Sequence, residues 1–157
     1  MSNTAKALAR LGISLPQPAA PVANYVGARR VGALLYVSGQ LPLSADGKLA
    51  PAQKGKLGPQ SAPDAAKAAA RLCAINLLAQ AQGALGDLER IVGVVRLGGF
   101  FNVDGEFPAM PQAMNGASDL MAEVFGDAGR HARTTVGVAD LPLGAMAEVE
   151  ALFEIAP

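Results

Sequence analysis

Arg133 and Glu148 are the residues whose types and placement could do chemistry together. Each stands in a stretch that reads as a strand. The run from Arg133 to Val138 (RTTVGV) is rich in Thr and Val, which suit a pleated surface. The stretch AEVEALF alternates, so that Glu148 and Glu150 share one face while Val149 and Ala151 share the other. Leu141-Pro142-Leu143-Gly144 separates the two as a tight turn, because Pro cannot donate to a ladder and Gly admits turn dihedrals. The expectation is a closing hairpin that carries a cation and a carboxylate on adjacent strands. Such a pair can bind and activate a small molecule, or it can be no more than an exposed ion pair, and residue types leave both open.

The other reactive side chains are few. Cys73 is the one cysteine and His131 the one histidine. A single cysteine excludes an internal disulfide framework, and one Cys with one His argues against a structural zinc site. Cys73 falls among Ala66, Ala69, Ala70, Leu77 and Leu78 at helical spacing, so it reads as a buried small hydrophobe. His131 reads as a loop histidine beside Arg133. Gly98-Gly99 lies within a strand and is followed by Phe100, so it is no phosphate-cradling loop. Neither an organic cofactor nor a metal is expected.

The chain has 157 residues, of which 51% are hydrophobic and 17% charged. That length suits one domain with a real core, read as 1–157 with residues 1–20 as an N-terminal arm. So weakly charged a surface suggests cover by further subunits. Thirteen basic residues balance 13 acidic ones, which argues against a nucleic-acid partner. No long apolar run or charged leader is present, so no membrane partner is expected and the cytoplasm is the default location.

The elements that must position these residues follow in order. A weak helical pattern covers Met1 to about Gly12, and Pro16, Pro18 and Pro21 then force an extended segment. A short strand is expected from Asn24 to Arg30, with Tyr25 in it. Ala33 to Leu41 is a nearly continuous apolar strand with both faces expected to be covered, ending at Ser38-Gly39. Residues Ala50 to Ser61 read as a surface loop. A long helix runs from Ala62 to about Gly83, opened by Pro63-Asp64 and closed by Gly83. A third strand covers Glu89 to Val103, and a second long helix runs from Pro111 to Phe125, closed by Gly126. With the hairpin this gives two ββα-like halves, a mixed sheet with two helices on one face. The other sheet face is expected to be apolar and buried in a homo-oligomer.

With these elements placed, the chain resembles the RidA family, also called the YjgF-like or L-PSP endoribonuclease family. The resemblance rests on Val37-Ser38-Gly39-Gln40-Leu41-Pro42, the strand before Asn102, Ala132 to Val138, Leu141-Pro142 and Glu148-Val149-Glu150, with Tyr25 upstream. The long arm, the Ala50–Ser61 loop, the Phe101–Pro111 insertion and Gly129-Arg130-His131-Ala132-Arg133 place it with a longer-chain subgroup. The resemblance implies a chorismate-mutase-like α/β (α+β) subunit in a homotrimer, with three ligand clefts between subunits. It implies hydrolysis of 2-aminoacrylate-type enamines and imines to 2-keto acids and ammonia. Arg133 matches the arginine that holds the substrate carboxylate, which a guanidinium does with two parallel hydrogen bonds. Glu148 matches the glutamate that orients or activates water. Tyr25 matches a tyrosine that covers the pocket, Ser38 and Gly39 the loop that lines it, and Asn115 a polar residue on the second helix. Thr135 stands where the archetype has a cysteine, so a thiol-specific role is absent. A non-catalytic carboxylate-binding or regulatory protein is the alternative; a ribonuclease fits the neutral charge poorly.

Overall fold

The computed structural model describes residues 2–157. It is a mixed α+β fold: one five-stranded sheet and three helices, with the two long helices packed side by side on one sheet face. Helix α1 (Asn3–Arg10) begins where the Ser2 hydroxyl accepts from the Ala5 N–H at 3.2 Å. Helix α2 (Pro63–Leu85) opens on Pro63 and Asp64, as its sequence demands. It runs past Gly83, however, and closes at Gly86, which takes the left-handed conformation at φ 77° and donates to Gln82 O. Gly83 lies inside the helix for another reason. Pro18 of the arm rests on it, and a Cβ there would sit 2.9 Å from Pro18 Cγ. Helix α3 (Met110–Phe125) closes at Gly126.

Strands β1 (Ala28–Val31) and β2 (Leu34–Gln40) form a hairpin. The first strand therefore starts later than Asn24, and Tyr25 lies before it. Strand β3 (Ile91–Asn102), β4 (Ala132–Val138) and β5 (Ala147–Ile155) complete the sheet in the order β1-β2-β5-β3-β4. The expected closing hairpin does not form. β5 inserts between β2 and β3, antiparallel to both, and β4 pairs with the far edge of β3 in parallel. The physical reason is burial. Ala147, Val149, Ala151, Phe153 and Ile155 all face the helices and are buried, so β5 needs neighbours on both sides. β4 carries Arg, Thr and Gly, and as an edge strand it leaves most of its residues exposed.

The core lies between the sheet and α2 and α3. Ala66, Ala69, Ala70, Cys73, Leu77 and Leu78 supply the α2 face, and Leu97, Phe101, Val149 and Phe153 the sheet face. The two helices touch at Gly116, where a Cβ would stand 1.9 Å from the Lys67 carbonyl oxygen. That oxygen is backbone and cannot swing aside. Gly116→Ala is expected to cost about 1–3 kcal/mol. Its melting temperature should fall by roughly 2–4 °C per kcal/mol, as read by circular dichroism. A variant melting with the wild type would show that the helices separate freely.

Three buried amides hold the polypeptide around the end of β2. Asn76 Nδ2 donates to Leu41 O and Leu43 O at 3.0 and 2.9 Å, Gln80 Nε2 to Ala19 O at 2.8 Å, and Gln40 Nε2 to Ser38 O at 2.9 Å. The segment 50–61 is more than a surface loop: it clasps the β4–β5 connection. Met146 N donates to Gln53 O at 2.8 Å and Gly55 N to Gly144 O at 3.0 Å, and the Lys56 ammonium bonds Asn102 Oδ1 and Ala139 O.

The sheet's other face is mixed rather than apolar. Tyr36, Leu152, Phe100 and Val136 share it with Arg96, Glu148, Glu150 and Thr134. Tyr36 of β2 is 49% exposed there, so the second face of that strand is not covered within one chain.

Candidate functional site

The residues singled out by sequence fall into two groups, and the sheet keeps them apart. The first gathers where β5 starts and β2 ends. Glu148 sits on the helix-free face, in register with Phe100 of β3, which pairs in turn with Val136 of β4. The β2–β5 ladder is irregular between Val37 and Gln40, and this bulge brings the Gly39 backbone under the Glu148 carboxylate. A Cβ on Gly39 would lie 2.0 Å from Glu148 Oε1, so no side chain fits at 39 while Glu148 keeps its place. The Ser38 hydroxyl donates to Val26 O at 2.8 Å, and Ser38 N donates to Gly27 O at 2.9 Å. These bonds tie the segment after Tyr25 to the same corner, with Tyr25 itself 53% exposed.

Burial, and secondarily the charge of Glu150, raises the Glu148 pKa above the ordinary carboxylate value. Glu150 has a different environment: it accepts from Arg96 Nη1 at 3.0 Å. Directly behind Glu148, on the helix face, Cys73 is fully buried with Sγ 3.7 Å from Ala147 O. Burial first, and Glu148 second, push its thiol pKa well up, so it stays a neutral, unreactive thiol.

The second group surrounds Arg133 on the edge strand β4. Arg133 pairs with Leu97, and Leu97 with Ala151, so Arg133 points toward the helices. Its guanidinium lies along α3. Nη1 donates to Asn115 Oδ1 at 2.8 Å and to Ser118 Oγ at 3.2 Å, and Nη2 donates to Pro111 O at 3.0 Å. Of its five N–H groups, the described residues take three. Thr135 follows two residues on and faces the same way; its hydroxyl is buried and has no partner among the described residues. His131, which sequence left without a role, reaches Ser118 Oγ with Nε2 at 2.9 Å and Gly129 O with Nδ1 at 2.6 Å. A groove of about 310 Å³ opens beside Arg133, lined by Ser118, Asp119, Arg130 and His131 among others.

Ser118 is the residue that sequence reading missed. Its signal was present, since Asn115 and Ser118 are three apart and share a face of α3.

The structure thus brings Tyr25, Ser38 and Gly39 to the end of the sheet that carries Glu148, and Asn115 and Thr135 to Arg133. It does not bring Arg133 to Glu148. On β5 the Arg133 row falls at Ala151, three residues from Glu148. An odd separation puts the two side chains on opposite faces, and two strand spacings plus three rises set their Cα atoms roughly 14 Å apart. Among the described residues, no three His, Cys, Asp or Glu gather to hold a metal ion, and no helix is long and apolar enough to cross a membrane.

Comparison with known proteins places the chain among relatives. The family described as "YjgF/chorismate mutase-like, putative endoribonuclease" matches residues 5–155. Protein TCP17 of Trypanosoma cruzi is 48% identical over 149 residues, which span 94% of this chain and 91% of that protein. A Shewanella oneidensis MR-1 crystal structure matches with a TM-score of 0.91 at 37% identity, covering 98% of this chain and 100% of the other. An Agrobacterium tumefaciens structure matches with a TM-score of 0.88 at 44% identity, covering 98% and 93%.

Proposed function

This chain belongs to the YjgF/chorismate mutase-like family, and on that footing we propose that it hydrolyses reactive enamines and imines of the 2-aminoacrylate type to 2-keto acids and ammonia, at clefts between the subunits of a homotrimer. The observation that carries the reading is the division of the site. Glu148 is half-buried with its carboxylate unbonded by the described residues, and Arg133 is clamped by α3 with N–H groups to spare. Neither can reach the other through the sheet. A ring of subunits, each meeting the next through unlike surfaces, brings one chain's β4 edge to the next chain's β5 face and makes one cleft per contact.

In such a cleft Arg133 takes the substrate carboxylate through its spare N–H groups. An enamine first tautomerises to the imine. Water then adds across the C=N bond; its oxygen bonds to carbon while its proton passes through Glu148 to nitrogen. The new hydroxyl then passes its proton, again through Glu148, to the nitrogen as the C–N bond breaks, leaving the 2-keto acid and ammonia. A raised pKa suits Glu148 to this traffic, since it narrows the gap between the carboxylate and neutral pH. Tyr25 and the Ser38-Gly39 backbone close the Glu148 side. Asn115 acts through Arg133, and the Thr135 hydroxyl, which has no partner among the described residues, can bond water or a carbonyl oxygen.

The test is hydrolysis of freshly generated 2-iminopropanoate, followed as pyruvate and ammonia. The wild type is expected to run well ahead of buffer. A rate equal to buffer across several imino acids overturns the proposal and leaves a carboxylate-binding protein.

A further inference from the structure

Arg133 is the first member of a longer chain of hydrogen bonds. It donates to Ser118 Oγ at 3.2 Å; Ser118 Oγ lies 2.9 Å from His131 Nε2; His131 Nδ1 lies 2.6 Å from Gly129 O. With a neutral imidazole, every proton along it has one allowed place. A carbonyl only accepts, so Nδ1 carries the ring hydrogen. Nε2 of the neutral ring is then an acceptor, so the Ser118 hydroxyl donates to it. The lone pairs of Ser118 are left facing Arg133, which only donates. Without His131 that hydroxyl could rotate and aim its own hydrogen at the guanidinium.

The far end of the chain is fixed by packing. Gly129 is buried against the α3 backbone, where a Cβ would lie 2.1 Å from Met121 O. Its carbonyl therefore cannot drift. The charged neighbours in the groove are already engaged: Asp119 pairs with Lys67 at 3.4 Å and Arg130 with Asp127 at 3.2 Å.

We infer that His131 and Ser118 are positioning residues, which lock the Arg133 guanidinium in the rotation that presents its remaining N–H groups to a substrate carboxylate. This rests on the carboxylate-binding reading of Arg133. The locking acts on binding, before any bond is made, so its loss raises KM and leaves kcat alone.

His131 is the only histidine, so ring ¹⁵N NMR reports on it without assignment. The Nδ1–H tautomer is expected in the wild type. Pyruvate binding by calorimetry is expected to weaken roughly 3- to 10-fold in His131→Phe and in Ser118→Ala. The double variant should be no weaker than either single one, since the two act as one unit. His131→Gln should restore affinity, because its amide oxygen can accept from Ser118. If the Phe variant does not fold, His131→Asn, which keeps the Gly129 bond but cannot reach Ser118, takes its place. An Nε2–H tautomer, losses that add, or wild-type affinity in His131→Phe each overturn the inference. Pyruvate that fails to bind the wild type, or that binds Arg133→Ala equally well, overturns the reading of Arg133 and the inference with it. Binding that needs Arg133 but not His131 overturns the inference alone.

Discussion

Glu148→Gln is expected to lower imine hydrolysis by roughly 10²–10⁴-fold while pyruvate still binds. The amide has the size of the carboxylate and fits over Gly39, but it cannot take a proton from water. The same substitution separates a catalytic glutamate from a structural one through stability. Burial and Glu150 raise the Glu148 pKa in the folded chain. A carboxyl that holds its proton more tightly when folded contributes stability that is full below its unfolded pKa. That contribution is lost as pH rises through the raised, folded value. The neutral amide removes this loss. Glu148→Gln should therefore melt no lower than the wild type at pH 8, and its melting temperature should vary less between pH 5 and pH 8. The wild-type kcat/KM should fall as acid protonates Glu148, and the residual activity of the variant should lack that limb. The measurements are melts and initial rates across that range at fixed protein concentration, since assembly also contributes to stability. A variant that keeps its rate, or that unfolds readily at pH 8, removes Glu148 from the mechanism.

Arg133→Ala and Glu148→Ala are each expected to be inactive alone and to regain activity when their subunits are mixed. The reasoning is geometric. Within one chain the two residues lie on opposite faces, with β3 between their strands. No side-chain rotation spans a hydrogen-bonded sheet. A cleft built between chains takes Arg133 from one and Glu148 from the next. In a random mixture of the two variants, about one cleft in four then holds both intact residues. Mixed subunits should recover about a quarter of the wild-type rate, and light scattering should give a mass of three 15.9 kDa chains throughout. A double variant carrying both changes in one chain, mixed with wild type, provides the control for exchange. Mixtures that stay silent after demonstrated exchange would mean that no inter-chain cleft joins these residues, and the proposed site would fall.

Much of this was legible in the residues. The helices announce themselves through Pro63-Asp64 at one start and Gly126 at one end, and the burial of Cys73 follows from its helical phase among alanines and leucines. The shared face of Glu148 and Glu150 follows from a two-residue period. All of these are local: they depend on dihedral preferences and on side-chain spacing within one element. Gly83 misled because a glycine inside a helix and one at its end look alike in sequence. Only the resting of Pro18 on it tells them apart. The Leu141–Gly144 turn misled in the same way, since a short connection between two strands suggests a hairpin unless a third strand competes for the pairing.

That competition is a property of the whole chain. β3 and β4 are joined through α3, and a connection carrying a helix favours parallel neighbours. β5 then settles where both of its edges are paired and its apolar side chains are covered. Sequence by itself determined the family, the elements and the residues with reactive side chains. The tertiary structure alone decided that Arg133 faces α3 while Glu148 faces away. The face a side chain occupies relative to another strand depends on pairing and register, and these are set by the burial of residues far apart in the chain.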